Sequence, residues 1–179
     1  IAFNTSTYQA SPFIIAYAIN GTVFSRLDDE HFKAELNMVK GEKVVIDGIE
    51  DLKNWWIDPD YFTQAPDGSI AFNGMNGKYR VTADFTLKYF VVEAMTGNDL
   101  AKLQDDGSGA VWIIGEGIGK PKVSSNQVGW NTDKALCLVP LGNKKYQITV
   151  KAGESINSDN INFKFFHQKD GAVNLVAQT

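Results

Sequence analysis

Short apolar runs at strand spacing, cut by Gly, Asn, Asp and Pro, dominate this chain and leave little room for helices. Lys145-Tyr146-Gln147-Ile148-Thr149-Val150-Lys151 alternates polar and apolar residues. Successive side chains of a strand point to opposite faces, so this alternation marks a half-buried antiparallel strand. Phe13 to Ala18, Gly21 to Leu27, Phe32 to Met38, Lys43 to Ile46, Ser69 to Phe72 and Lys78 to Ala83 read as strands. So do Lys88 to Glu93, Val111 to Ile114, Ala135 to Val139 and Ile161 to Phe166. Asn20-Gly21 between two apolar runs is a hairpin signal, because a type I′ turn needs φ > 0 at both central residues. Helical turns are expected only at Ile49 to Lys53, Pro59 to Phe62 and Asn98 to Lys102. The pattern predicts an all-β fold of two tandem antiparallel β-sandwiches, immunoglobulin-like or carbohydrate-binding-module-like in type.

An internal repeat supports two units. Val44-Val45-Ile46-Asp47-Gly48 is similar to Val111-Trp112-Ile113-Ile114-Gly115, and Lys78-Tyr79-Arg80-Val81-Thr82 to Lys145-Tyr146-Gln147-Ile148-Thr149. The same offset separates 44 from 111 and 78 from 145. Each first strand leads into a loop carrying tryptophan, Trp55-Trp56 in one copy and Gly129-Trp130 in the other. The expected domains are residues 1–98 and 99–179, with a short polar linker around Gln104 to Gly109.

Composition narrows the function. At 179 residues, 44% hydrophobic and 21% charged, the chain is not disordered. The net charge of −4 argues against binding a nucleic-acid backbone. Cys137 is the single cysteine, which excludes an intrachain disulfide and CxxC chemistry; its apolar neighbours make it a small hydrophobe. No apolar run reaches the roughly 20 residues of a membrane helix. The chain opens on Ile1, so a targeting segment is expected to be absent or already removed, which allows the chain to be a fragment of a longer precursor.

Candidate chemistry points to binding more than catalysis. His31 and His167, the only histidines, are far apart in sequence, so no metal site is expected. Asp58-Pro59-Asp60 offers too few oxygens for Ca²⁺, which takes about six to eight; Asp-Pro is a turn starter. Gly115-Glu116-Gly117-Ile118-Gly119-Lys120 lacks the GK[ST] ending of a phosphate loop. No GxSxG elbow is present. No enzyme activity and no cofactor are expected. Two loops do have the composition of a sugar site: Trp55-Trp56-Ile57-Asp58-Pro59-Asp60-Tyr61-Phe62 and Gly129-Trp130-Asn131-Thr132-Asp133-Lys134. A pyranose stacks its C–H face on an aromatic ring and needs polar groups at the rim. The candidate ligand-binding residues are therefore Trp130, Asn131, Trp55, Trp56 and Tyr61. The competing reading places these aromatics in the core, where large rings carry much of the packing. Trp112 faces opposite to Val111 and Ile113, into a core or between the two units.

The order VWIIG, GWN, KYQITVKAG, INFKFFHQKDG over Gly109 to Gly171 resembles the repeated carbohydrate-binding domain of SusE/SusF-type surface lipoproteins of gut bacteria. The first half, with Ala34-Glu35-Leu36 and Gly41-Glu42-Lys43-Val44, is similar to the same family more weakly. The resemblance implies a non-catalytic, exported lipoprotein on the outer-membrane surface. It would be tethered by a lipid anchor outside this sequence and would hold glycan beside a TonB-dependent importer. It marks Trp130 as the ligand-facing aromatic. One departure stands out: the family's closing Trp-bearing strand has no counterpart in Ala172 to Thr179. A docking subunit of a SusCD-type importer complex, its oligosaccharide or peptide cargo held by other chains, is the alternative.

Overall fold

Three of the four eight-residue strands gather into one antiparallel sheet in the computed structural model, which describes residues 16–171. Its order is Asp99–Leu100, Tyr89–Thr96, Gly77–Asp84, His31–Met38, Ser25–Arg26. In the central strand Tyr79, Val81 and Ala83 are buried while Lys78, Arg80 and Thr82 face the other way. Ala34, Leu36 and Met38 extend the buried face on one side, and Phe90, Val92 and Ala94 on the other. Arg80 answers Glu35 across the outer face at 2.9 Å.

Two smaller antiparallel sheets complete the first half. One has the order Lys43–Val44, Ile70–Phe72, Phe62–Gln64, and the other Thr22–Val23, Ala18–Ile19, Ile46–Asp47. The Asn20-Gly21 signal holds: Ala18–Ile19 pairs with Thr22–Val23, and Asn20 and Gly21 sit at φ 47° and 78°. The start of the expected Phe13 to Ala18 strand lies outside the described residues, as does the Ala172 to Thr179 segment.

The second half is organised by Trp112–Gly119. This strand pairs with Asn162–Phe166, Leu136–Cys137 and Gln127–Gly129. Val139–Gly142 and Lys145–Gln147 form a separate hairpin. The glycines of the GEGIG run are explained here. A Cβ on Gly115 would fall 2.3 Å from the Asn162 oxygen, and one on Gly119 would fall 2.4 Å from the Asn126 oxygen. The run is spaced for close backbone approach inside a sheet.

All named strands pair antiparallel, and the chain is an all-β sandwich protein. Among the described residues helix is confined to Leu52–Asn54, Val123–Asn126 and Thr132–Lys134. Only the first matches an expected helical turn. Pro59 to Tyr61 is an irregular turn held by the Asp58 carbonyl, which accepts the Tyr61 and Phe62 N–H groups. Asn98 to Lys102 contains the edge strand Asp99–Leu100, so the first sheet continues past residue 98. The two copies of the sequence repeat do not hold equivalent places. Val44 and Ile46 lie in two different small sheets, whereas Val111 leads into one eight-residue strand. Lys78 to Thr82 is central in its sheet, whereas Lys145–Gln147 lies in a two-stranded hairpin.

One connected core cluster runs through both halves. Trp112, fully buried, donates its indole N–H to the Ala101 carbonyl at 3.1 Å. It is therefore both core and a link between the halves. Tyr89–Thr96 is buried on both faces, because residues of the second half cover Tyr89 and Glu93.

Candidate binding cleft at the junction of the halves

The five candidate ligand-binding residues fall into three environments. Trp130 is exposed, at 48%. It follows the Gln127–Gly129 strand, and Gly129 turns the chain at φ 58°. Asn131, also exposed, caps the Thr132–Lys134 turn: its side-chain oxygen accepts the Asp133 N–H at 3.0 Å. Its observed task is to shape the loop. Trp56 is half-buried, with its backbone N–H donated to the Lys88 carbonyl and its ring 6.1 Å from that of Tyr89.

Trp55 and Tyr61 do not offer a face to a ligand, which corrects the expectation for both. Trp55 is 5% exposed and packs on Phe90 at 4.8 Å and Phe85 at 5.0 Å. Its indole N–H reaches Asp51 at 3.2 Å. Tyr61 is 2% exposed, stacked on Phe72, and donates its hydroxyl to the Cys137 carbonyl at 2.7 Å. Burial pushes its phenol far above the ordinary tyrosine range. The loop composition was that of a sugar site, but adjacent aromatics are more strongly stabilised by burial than by solvent. Cys137 is buried as expected, and burial pushes its thiol up to about 11.

The Trp130 loop opens onto a cleft of about 240 Å³ between the halves. Asp133 and Lys134 line it from the loop side, and His31, Asp84 and Glu93 line it from the five-stranded sheet. Tyr89 and Asn126 meet within it, the amide donating to the phenol oxygen at 3.2 Å. Most of its charge is paired internally. Glu93, buried, accepts from Lys169 at 2.7 Å, and Asp84 faces His31 Nε2 at 3.1 Å. Asp84 also accepts the Thr86 and Leu87 N–H groups. What remains for a ligand is a polar, nearly neutral wall. The volume lies just under the roughly 300 Å³ at which small-molecule clefts begin, which suits one ring and leaves a longer chain on the rim. Among the described residues no three His, Cys, Asp or Glu side chains converge as a metal-holding group.

Residues 1–103 match the family model described as Domain of unknown function (DUF5125). The chain belongs to the DUF5125 family. Residues 106–175 match a second model, Domain of unknown function (DUF5121), so the chain has two domains. No curated protein and no solved structure matches it. The cleft is shared: the DUF5125 domain supplies His31, Asp84, Tyr89 and Glu93, and the DUF5121 match supplies Asn126, Asp133, Lys134 and Lys169. Among the described residues no helix is long and apolar enough to cross a membrane.

Most of the cleft's DUF5125 residues escaped sequence reasoning: Asp84, Tyr89 and Glu93 lie on two consecutive strands, but what makes them a site is His31 from a distant strand and the second half packed over them. One signal was available. Glu93 interrupts the apolar run Val91-Val92-Glu93-Ala94-Met95, and a buried acid in such a run requires a cation.

His31 makes the DUF5125 side of the cleft sensitive to pH. Burial opposes its charge, but the hydrogen bonds and charges of Asp28 and Asp84 outweigh burial and raise the imidazole above its ordinary value. A group raised in the folded state contributes stability that is complete below the unfolded value, about 6.5, and is lost as pH rises through the folded value. Denaturant midpoints of the whole chain should therefore fall over that window. His31→Gln should flatten the fall, and an unchanged slope in the variant would show that His31 is not its source.

Proposed function

We propose that the chain is a non-catalytic binding module that holds glycan at the outer-membrane surface beside a TonB-dependent importer. One observation carries the reading: Trp130 stands nearly half exposed on the loop whose Asp133 and Lys134 line the junction cleft. The cleft beside that loop carries an amide, a phenol and paired charges that sugar hydroxyls can bond. That lining suits a neutral glycan, because its deepest charges, Glu93 and Asp84, are already paired with Lys169 and His31. The resemblance of Gly109 to Gly171 to the SusE/SusF carbohydrate-binding domain supports the same reading. Cell-surface placement by a lipid anchor follows from the resemblance alone.

Trp130→Ala tests it. Unfolding free energy should stay within about 1 kcal/mol of wild type, as for an exposed site. Retardation in polysaccharide-containing native gels should be abolished. A stability loss of about 3–5 kcal/mol would instead identify Trp130 as a core plug. The exposed Trp130 also favours a second reading, a docking surface for a SusCD-type importer, since Trp is enriched at interfaces. If wild type itself is not retarded by any glycan and Trp130→Ala weakens association with importer subunits, docking is the function.

A further inference from the structure

Outside the cleft lining, three ionisable side chains are almost wholly buried where the two domains meet. Lys120 is 3% exposed, Asp58 6% and Asp60 2%. Lys120 Nζ donates to Oδ2 of Asp58 and to Oδ2 of Asp60, both at 2.7 Å. One cation between two carboxylates leaves net negative charge in a dry site, which is costly. The same protons can be distributed as an amine, a carboxylic acid and a carboxylate. The two acids are not equivalent. Asp58 Oδ1 accepts the backbone N–H of Asp60 at 3.0 Å. Asp60 accepts the Thr149 N–H on Oδ2 at 2.8 Å and the Gln147 amide on Oδ1 at 3.3 Å. Burial raises the Asp58 carboxyl above its usual range. Burial opposes the charge on Asp60 too, but Lys120 and the Thr149 N–H outweigh it and hold that carboxyl low. Of the two, Asp58 is the acid more readily protonated and Asp60 the one more readily kept ionised.

A nucleophile thus lies 2.7 Å from one oxygen of an acyl group and 2.7 Å from a carboxylate base, and a backbone N–H holds the other acyl oxygen. That set is what acyl transfer needs. We propose that the chain joins Lys120 to Asp58 by an intramolecular isopeptide bond, with Asp60 as the proton carrier. In the first step the Lys120 ammonium passes a proton to Asp58, giving an amine and a carboxylic acid. The Nζ lone pair then attacks Asp58 Cγ, and the C=O π pair moves onto Oδ1, where the Asp60 N–H stabilises it. Asp60 takes a proton from Nζ and returns it to Oδ2. The Cγ–Oδ2 bond breaks, the carbonyl re-forms and one water leaves. No oxidant or reductant is required, and Asp60 ends as the carboxylate it began as. Holding amine and acyl carbon together replaces a bimolecular encounter, an advantage of about 10⁵–10⁸ M in effective concentration. The product ties the Asp58 to Tyr61 turn of the DUF5125 domain to the end of the Trp112–Gly119 strand. It staples two domains in a chain whose single cysteine, Cys137, permits no disulfide within it.

The intact mass of the denatured full chain decides the matter. It should be lower than the sequence mass by one water, and proteolysis should release a branched peptide joining Lys120 to Asp58. Lys120→Arg and Asp58→Ala should restore the full mass. Asp60→Asn should do so too, since an amide cannot carry the proton. The mass and the peptide map of wild type need no variant to fold. An unreduced mass for the folded wild-type chain overturns the proposal. So does a water loss that persists in Lys120→Arg or maps to a succinimide at an Asp-Gly step, and so does a branch through Asp60.

Discussion

Replacing Lys120 by Met is expected to lower the free energy of unfolding by about 3–5 kcal/mol, the range for removing one partner of a buried ion pair. Methionine fills similar space, so the loss is electrostatic. It leaves Asp58 and Asp60 facing each other in a site where both are nearly sealed from water. The pH dependence identifies the cause. Without the cation, burial and like charge raise both folded-state carboxyls above their unfolded values. For an acid raised in this way, ionisation opposes folding, so the deficit is present above the folded values and shrinks as pH falls through them. Denaturant unfolding across the acidic range should show this narrowing. A deficit independent of pH would place the cause in packing. Adding Asp58→Asn and Asp60→Asn to Lys120→Met should recover much of the loss, because neutral amides remove the unpaired charge. These losses are those of the chain before Lys120 and Asp58 are joined; in the joined chain the crosslink adds to the wild-type advantage, and the amide substitutions do not restore that part.

Trp112→Ala should cost roughly 3–5 kcal/mol, the range for truncating a large buried ring. Trp112 is fully buried at the start of the strand that organises the second domain, opposite Cys137 and Phe166. The change opens a cavity and leaves the Ala101 carbonyl without its indole donor. It also removes the ring that lies 5.9 Å beneath the Lys169 ammonium, whose partner is the buried Glu93. Trp112→Phe keeps most of the volume but loses the N–H, and should cost only about 1–2 kcal/mol for that part. Equal losses in the two variants would assign the effect to the hydrogen bond, not the cavity. Because the ring sits at the junction, the Ala variant should loosen both domains together, with fluorescence and circular dichroism transitions still coinciding.

Strand content was legible in the chain because side-chain alternation is local. His31–Met38, Gly77–Asp84, Tyr89–Thr96 and Asn162–Phe166 all lie where the apolar rhythm put them. The Asn20-Gly21 hairpin was legible for the same reason: backbone preference at two adjacent residues decides the turn. The exposure of Trp130 agrees with the loop chemistry around it, but Trp55 and Tyr61 show how far composition misleads. Two loops of similar composition differ because one packs on Phe85, Phe90 and Phe72 and the other does not. That choice depends on which surfaces lie opposite, and no short window of sequence contains them.

The two motifs set aside in the sequence make the same point. Asp58-Pro59-Asp60 reads as a turn, and Gly115 to Lys120 as a failed phosphate loop. Each was incomplete because its counterpart is the other: the acids of the first receive the cation at the end of the second. The sequence by itself determined the all-β class, the places of the long strands of the first sheet and the turn at Asn20-Gly21, since each follows from neighbouring residues and their backbone sterics; Lys145 to Lys151, expected as one strand, is strand only to Gln147. The tertiary structure decided which aromatics are buried, where the cleft opens and that Lys120 lies between Asp58 and Asp60. Desolvation and Coulomb attraction act through space between residues that the chain keeps far apart.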